Sequence, residues 1–178
     1  QAVLGIKECG LKYGGNTDHL VFVGDSAGGQ LALATTLRLK KFDSWLPRQQ
    51  ILIYPMLDPN GRSNSYVENG SDYIITANML LSGFELYAGS ESNLLHEPEL
   101  NLLNASFHGL PTTTIITAEF DPLRDEGEQL YRSMAEQGVE ARYEPYLGVI
   151  HGFFQLSGVS ESAKRCIESI SSHIKHSN

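Results

Sequence analysis

The 178-residue sequence has little of several features that mark particular classes of protein. It contains only two cysteines, Cys9 and Cys166, which excludes a disulfide framework, and no spacing of His and Cys is typical of structural zinc. No apolar run approaches the roughly 18 residues of a membrane-spanning helix. The sequence has 13 basic and 21 acidic residues, which gives a net charge of -8. It contains no cluster of basic residues, which argues against a nucleic-acid surface. We therefore expect no membrane span, no nucleic-acid partner and a reduced, cytoplasmic setting.

Short apolar stretches alternate with helical patterns along the chain, which is typical of βαβ units and a parallel sheet. The apolar stretch at residues 19–23 and the helical pattern at 27–39 are both predicted to be buried. The fold class is therefore α/β, with about four parallel strands flanked by helices. The predicted strands are residues 19–23, 50–54, 113–117 and 141–147. The predicted helices are residues 2–11, 27–39 and 77–88, with Thr76 as the N-cap of the third. A fourth runs from Leu123 and ends at Gly138. The last carries an apolar stripe and has Ser160 as its N-cap; the stripe is Ala163, Ile167, Ile170 and Ile174.

The most informative motif follows the first predicted strand and reads Gly24-Asp25-Ser26-Ala27-Gly28. A serine on a sharp turn from strand to helix has a strained backbone, and it needs neighbours without side chains. The turn also directs a helix N-terminus at the serine, so the backbone N–H of Ala27 can face a developing oxyanion. Alone the pattern is a weak signal, because a glycine-rich turn that holds a phosphate is an alternative.

Two further polar residues follow later strands. Asp121 comes just beyond the third strand, where the acid of a catalytic triad would lie. A role as a turn former before proline explains this residue about equally well. Asp125 and Glu126, by contrast, fit the first turn of the next helix, where acidic side chains favour the helix dipole. Among the six histidines, His151 is the one that lies in a loop after a strand, between two glycines.

The three candidates gain weight together, because parallel strands end at one edge of a sheet and ligands bind there. Ser26, Asp121 and His151 each follow a different strand, in the chain order of a serine nucleophile, an acid and a histidine. The phosphate alternative explains only the first of them. It also lacks its lysine, since Gly29 is followed by Gln30.

Taken together, four motifs resemble the hormone-sensitive-lipase-like (family IV) carboxylesterases of the α/β-hydrolase superfamily: Gly24-Asp25-Ser26-Ala27-Gly28-Gly29, Tyr54-Pro55, Asp121-Pro122-Leu123-Arg124-Asp125-Glu126 and His151-Gly152-Phe153. The resemblance implies a serine carboxylic ester hydrolase that acts on small to medium acyl esters through an acyl-enzyme. Ser26 would be the nucleophile, His151 the general base and acid, and Asp121 the residue that orients His151. The Ala27 N–H would belong to the oxyanion hole, and no metal or cofactor is needed.

The resemblance also implies a domain organisation. Residues 1–178 would form a partial α/β-hydrolase domain, and the loop-rich insert at 57–110 would contribute to a cap. The insert offers seven apolar candidates for lining a pocket, although packing of the cap on the body explains most of them equally well: Tyr66, Tyr73, Ile74, Ile75, Leu80, Leu81 and Phe84.

One departure from the family bears on activity. The sequence contains no His-Gly-Gly-Gly motif, which in the family lies upstream of the nucleophile and supplies most of the oxyanion hole. The chain resembles only the C-terminal part of the family and begins with Gln1, which we interpret as truncation or cleavage. One alternative is therefore a weakly active or inactive half-protein that works by association, as a homodimer or complex covering the edge strand at 19–23. Another is a non-catalytic domain that binds small molecules.

Overall fold

A computed structural model describes residues 1–42, 45–89 and 98–176, with only the backbone of His176. The six helices of these residues are α1 (Ala2–Cys9), α2 (Ala27–Phe42), α3 (Asn64–Asn69), α4 (Ala77–Ala88), α5 (Arg124–Glu136) and α6 (Glu161–His176). The strands are β1 (Val21–Asp25), β2 (Gln49–Ile53), β3 (Thr112–Phe120) and β4 (Ala141–Ile150). Short 3₁₀ turns occupy Gly10–Tyr13, Leu102–Asn104 and Phe153–Leu156. No helix in the described part of the chain is both long and apolar enough to cross a bilayer.

The four strands form one parallel sheet in the order β1-β2-β3-β4. Each strand follows its neighbour in both sequence and space, and helices make the crossovers that parallel pairing requires. The predicted α/β class with about four parallel strands is confirmed. All four strands end at the same edge of the sheet, so the residue that follows each strand lies in one row.

Helices cover both faces of the sheet. On one face, Leu33 of α2 and Leu130 and Met134 of α5 pack on Leu52 and Ile115. On the other face, α6 packs on a second cluster, which combines side chains of β2 and β3 with Tyr54 and Phe153 from the segments after β2 and β4. The strand members are Ile51, Ile53, Ile116 and Ala118. Ile51 and Ile53 face one core and Leu52 faces the other, which explains why β2 is apolar at its third, fourth and fifth positions and wholly buried.

The starts of α4 and α6 follow the sequence signals. The Thr76 hydroxyl accepts a hydrogen bond from the Met79 N–H at 3.2 Å and so caps α4 as predicted. The Ser160 hydroxyl accepts one from the Ala163 N–H at 3.3 Å at the start of α6. By contrast, β3 and β4 run three residues beyond the predicted ends, because Ala118 and Phe120 still pair with Tyr146 and Ile150 across a bulge.

Three burial predictions were wrong. The first strand lies at the edge of the sheet, as the half-protein alternative expects, but the prediction that it is buried is wrong, since Val23 is 45% exposed. Helix α2 is not buried on every side, since Leu31 is 50% exposed while Leu33 is buried. In α6 the buried stripe is Ala163, Cys166 and Ile170, whereas Ile167 and Ile174 are 37% and 41% exposed. The exposed positions of β1 and α2 belong to the same side of the molecule.

The insert at residues 57–110 contains more order than the predicted loop with one helix. Helix α3 precedes α4, and Leu102, Phe107 and Leu110 are buried in the same core as Leu33 and Leu52. Residues 90–97 of the insert lie outside the described residues.

Candidate active site

The serine lies at the first position after β1, in a backbone conformation that is rare for a residue with a side chain. Its φ is 55°, in the left-handed region, at a cost of about 1–3 kcal/mol. The Ser26 N–H donates to the Ile53 carbonyl at 2.9 Å and the Ser26 carbonyl accepts from the Gln30 N–H at 3.2 Å. These bonds tie the turn to the adjacent strand and to α2, and they hold the strained residue in place.

Two glycines allow this turn, which we call the elbow (residues 24–29). A Cβ on Gly24 would overlap the carbonyl of Gly28, and one on Gly29 would lie 2.8 Å from the Cβ of Pro55. A Cβ on Gly28 would meet only the Asp25 carboxylate at an ordinary 3.9 Å. The expectation that the serine needs glycine neighbours therefore holds sterically for Gly24 and Gly29, and the structure leaves room at Gly28.

Asp121 is the first residue after β3 and is fully buried. Its Oδ1 accepts a hydrogen bond from the Leu123 N–H at 2.9 Å, so the carboxylate is held by its own turn. The insert supports the same turn from outside, because the Asn69 amide donates to the Asp121 carbonyl at 3.4 Å and the Ser65 hydroxyl donates to the Pro122 carbonyl at 2.5 Å. Asp121 is thus a turn former before proline, and the same turn also orients its carboxylate.

His151 is the first residue after β4 and joins the other two side chains. Its Nδ1 lies 2.7 Å from Asp121 Oδ2, and its Nε2 lies 3.0 Å from Ser26 Oγ. The ionised Asp121 can only accept, so Nδ1 carries the proton and Nε2 is left to accept the hydrogen of the serine hydroxyl. The three candidates from the sequence are therefore brought together in one hydrogen-bonded row that can pass a proton from serine to imidazole.

Ala27 begins α2 beside the serine. As the first residue of the helix, its N–H has no acceptor within the helix and lies at the positive end of the helix dipole. This placement is the one expected of an oxyanion-hole donor.

Two contacts between loops of the site have no signature in the sequence. The Gln155 amide, beyond His151, donates to the Asp25 carboxylate of the elbow at 2.9 Å. The Glu119 carboxylate, before Asp121, accepts from the Gly148 N–H at 2.6 Å. Both join residues that are far apart in the chain, so only the folded arrangement reveals them.

Glu126 has a second role besides its place in the first turn of α5. It is 2% exposed, and its Oε2 accepts from the N–H groups of Leu57 and Asp58 at 2.9 and 3.1 Å. Burial raises the pKa of this carboxyl to about 8, although the two N–H donors act against the rise. Glu126 thus bonds the start of the insert to α5, a contact that the helix-dipole interpretation does not include.

The seven apolar candidates of the insert divide between the core and the surface. Tyr66, Leu80 and Phe84 are buried with Met56 and Leu123. Ile75 and Leu81 are partly buried against that cluster, Tyr73 stacks on Phe120 at 5.5 Å between ring centroids, and Ile74 is mostly exposed. Packing of the insert on the body thus accounts for the buried members.

A model of the alpha/beta hydrolase fold family matches residues 1–155 of the chain. Among curated relatives, the ethyl acetate hydrolase of Pseudomonas putida is 30% identical over 165 residues, which are 89% of this chain and 52% of that protein. The arylesterase of Saccharolobus solfataricus is 29% identical over 137 residues, which are 76% of this chain and 44% of that protein. The chain spans about half the length of the curated relatives it matches.

Solved structures agree with the sequence matches. A hyperthermophilic esterase from Pyrobaculum calidifontis superposes with a TM-score of 0.91 at 32% identity, over 98% of this chain and 58% of that one. Carboxyl esterase 2 from Tuber melanosporum gives a TM-score of 0.90 at 32% identity, over 99% of this chain and 60% of that one.

Proposed function

The chain belongs to the hormone-sensitive-lipase-like branch of the α/β-hydrolase fold family, and on that premise we propose that it is a serine carboxylic ester hydrolase. The observation that carries the proposal is the hydrogen-bonded row of Ser26, His151 and Asp121, with 3.0 and 2.7 Å between the bonded atoms. The esterase names of the relatives support the same reaction class. Small to medium acyl esters are the proposed substrates.

The reaction takes place in two steps. His151 Nε2 removes the Ser26 hydroxyl proton as Oγ attacks the ester carbonyl, and the tetrahedral oxyanion forms beside the Ala27 N–H. When the intermediate collapses, the imidazolium gives its proton to the leaving alcohol and an acyl-enzyme remains. Water, deprotonated by the same histidine, then releases the acid and restores Ser26. Asp121 stays ionised and stabilises the imidazolium in both steps.

The rate of the chain is expected to be limited by its oxyanion hole. One oxyanion-hole donor is typically worth about 100- to 1000-fold in rate. Ala27 supplies one donor, and the sequence has no His-Gly-Gly-Gly motif to supply others. A single-turnover reaction is therefore the appropriate test, because it requires the triad but not rapid turnover.

The experiment is covalent labelling of the chain by a fluorophosphonate. We expect one adduct, mapped by mass spectrometry to Ser26, no adduct in Ser26→Ala, and at least about a thousandfold slower labelling in His151→Gln. Hydrolysis of p-nitrophenyl acetate, butyrate and palmitate then compares acyl lengths, and the two shorter esters should react faster.

Two outcomes would contradict the proposal. Labelling of Ser26→Ala at the wild-type rate would place the nucleophile elsewhere. A wild-type chain that folds but does not label would favour a domain that binds small molecules in the same place without catalysis.

A further inference from the structure

The row of residues at the edge of the sheet has four members, and the proposed function uses three. Ser26, Asp121 and His151 follow β1, β3 and β4 directly, and Tyr54 is the first residue after β2, which lies between β1 and β3. We infer that Tyr54 is a positioning residue, which fixes the Ser26 hydroxyl and the His151 imidazole relative to each other. The inference rests on the proposed function, because it assigns Tyr54 a part in the same reaction.

The backbone around Tyr54 holds the nucleophile. Tyr54 has φ 35°, and Tyr54 and Ser26 are the two residues other than glycine with positive φ in the described part of the chain. The Ser26 N–H donates to the Ile53 carbonyl at 2.9 Å, and the Ser26 carbonyl accepts from the Met56 N–H at 3.3 Å. Both peptide groups of the serine are therefore bonded to residues that flank Tyr54. Tyr54 itself is anchored by its N–H to the Ile116 carbonyl at 2.7 Å.

The next residue adds a contact between side chain and backbone. Pro55 packs so closely on the elbow that a Cβ at Gly29 would lie 2.8 Å from the proline Cβ. The turn after β2 is thereby fixed against the first turn of α2, and a change in its path would displace the serine.

The side chain of Tyr54 holds the base. Its ring is fully buried, with its centroid 4.5 Å from that of the His151 imidazole and 5.9 Å from that of Phe153. The tyrosine hydroxyl makes no hydrogen bond of ordinary geometry to the described residues, although the Phe154 N–H approaches it. Burial, above all, holds the pKa of this hydroxyl well above its usual value, so it stays neutral. The ring, rather than the hydroxyl, is therefore the part that acts on His151.

Three variants separate positioning from simple core packing. Tyr54→Leu removes the ring, and Tyr54→Phe keeps the ring but removes the hydroxyl. The matched control is Tyr146→Leu, because the Tyr146 ring packs on Phe153 at 5.0 Å in the same aromatic cluster. The readouts are the saturating rate and the half-saturating concentration of fluorophosphonate labelling, the low-field NMR signal of the His151 Nδ1 proton, and the free energy of unfolding.

We expect Tyr54→Leu to lower the saturating rate of labelling about ten- to a hundredfold, since small misplacements of reacting groups have effects of this size. Its half-saturating concentration should change little, and its low-field signal should broaden or shift. Tyr54→Phe should label within about twofold of the wild type. Tyr146→Leu should lose stability but keep both the rate and the NMR signal. Equal slowing in Tyr146→Leu, or in Tyr54→Phe, would overturn the inference.

The NMR arm separates this inference from the proposed function. If the wild-type chain does not label, the proposed function fails, yet an unchanged low-field signal in Tyr54→Leu would still overturn the role of Tyr54. If Tyr54→Leu does not fold, nuclear Overhauser contacts in the wild type between the Tyr54 ring and the His151 ring protons decide the matter. Their presence, together with wild-type labelling in Tyr54→Phe, supports the inference, and their absence overturns it.

Discussion

At the scale of single residues, the glycines of the elbow are not equivalent. Gly24 is in contact with the backbone of Gly28, and Gly29 is in contact with Pro55, so neither position has room for a methyl group. Gly28 faces open space apart from the Asp25 carboxylate at 3.9 Å. The motif therefore contains glycines that are sterically required, Gly24 and Gly29, and one that is not, Gly28. Substitution of each by alanine tells them apart.

We predict that Gly24→Ala destabilises the fold and abolishes labelling of Ser26, whereas Gly28→Ala does neither. The first methyl group overlaps the backbone, with a cost of about 1–3 kcal/mol or an opened turn. The second lies in the first turn of α2, where alanine favours helix by roughly 0.5–1 kcal/mol. Urea unfolding and fluorophosphonate labelling check both variants. A stable, reactive Gly24→Ala chain would show that the turn can relax without loss of the serine geometry.

The positions of the proposed triad could be predicted from the sequence because Ser26, Asp121 and His151 each follow a strand directly. A strand followed by a polar residue is a local pattern, and the parallel sheet brings the local patterns together. The contact of Tyr54 with His151 could not be predicted in this way. It depends on which face of the sheet a buried ring occupies beyond the strand end, and nothing local to Tyr54-Pro55 specifies that face.

At the scale of elements, α5 shows how one helix serves two purposes. Its first turn contains Asp125 and Glu126, which favour the helix dipole as the sequence predicts. The same carboxylates accept hydrogen bonds from the insert, Asp125 from the Ser65 N–H and Glu126 from the Leu57 and Asp58 N–H groups. The insert is thus attached to the helix that follows Asp121.

The buried position of Glu126 leads to a pH prediction. Its pKa is raised to about 8 by burial, so the folded chain holds a proton that the unfolded chain releases near the ordinary carboxyl value. The folded state then binds more protons than the unfolded state within this window. The contribution of Glu126 to stability is therefore fully present at low pH and declines as the pH rises toward 8. Asp58 raises the pKa further by its charge, and the Tyr66 hydroxyl acts against the rise.

We expect Glu126→Gln to remove this decline. The neutral amide oxygen can still accept from the Leu57 and Asp58 N–H groups, and it has no charge to bury. Unfolding by urea between pH 5 and 8 should show a falling free energy for the wild type and a flatter profile for the variant. The same slope in both chains would mean that Glu126 is ionised throughout.

Apart from α3, the helices and strands and the starts of α4 and α6 were predictable, whereas burial at the surface of the sheet was not. Thr76 and Ser160 cap helices because their hydroxyls act within one turn, and this is a local property. The exposure of Val23 and Leu31 depends on whether another element covers β1 and α2. Their apolar side chains predict burial, but the described residues contain no element that provides it.

At the scale of the whole molecule, the two edges of the sheet differ. Within the described residues β1 pairs only with β2, and β4 pairs only with β3. Beside β1 lies an apolar cavity lined by residues of α1, β1 and α2: Val3, Ile6, Val21, Val23, Leu31 and Ala32. An unpaired strand next to exposed apolar side chains favours pairing with another strand. The β1 edge is therefore the surface at which we expect association.

We predict that the chain self-associates through β1, as a homodimer in which two β1 edges pair. Val23→Lys places a charge on this edge and should shift the chain to the monomer in sedimentation velocity, without loss of its circular dichroism. The matched control is Leu147→Lys on β4, because Leu147 is also strongly exposed but lies on the opposite edge strand. It should leave the dimer intact. A wild-type chain that sediments as a monomer at every concentration, with rapidly exchanging β1 amides, would contradict the dimer. Dissociation of both variants alike would place the interface away from β1.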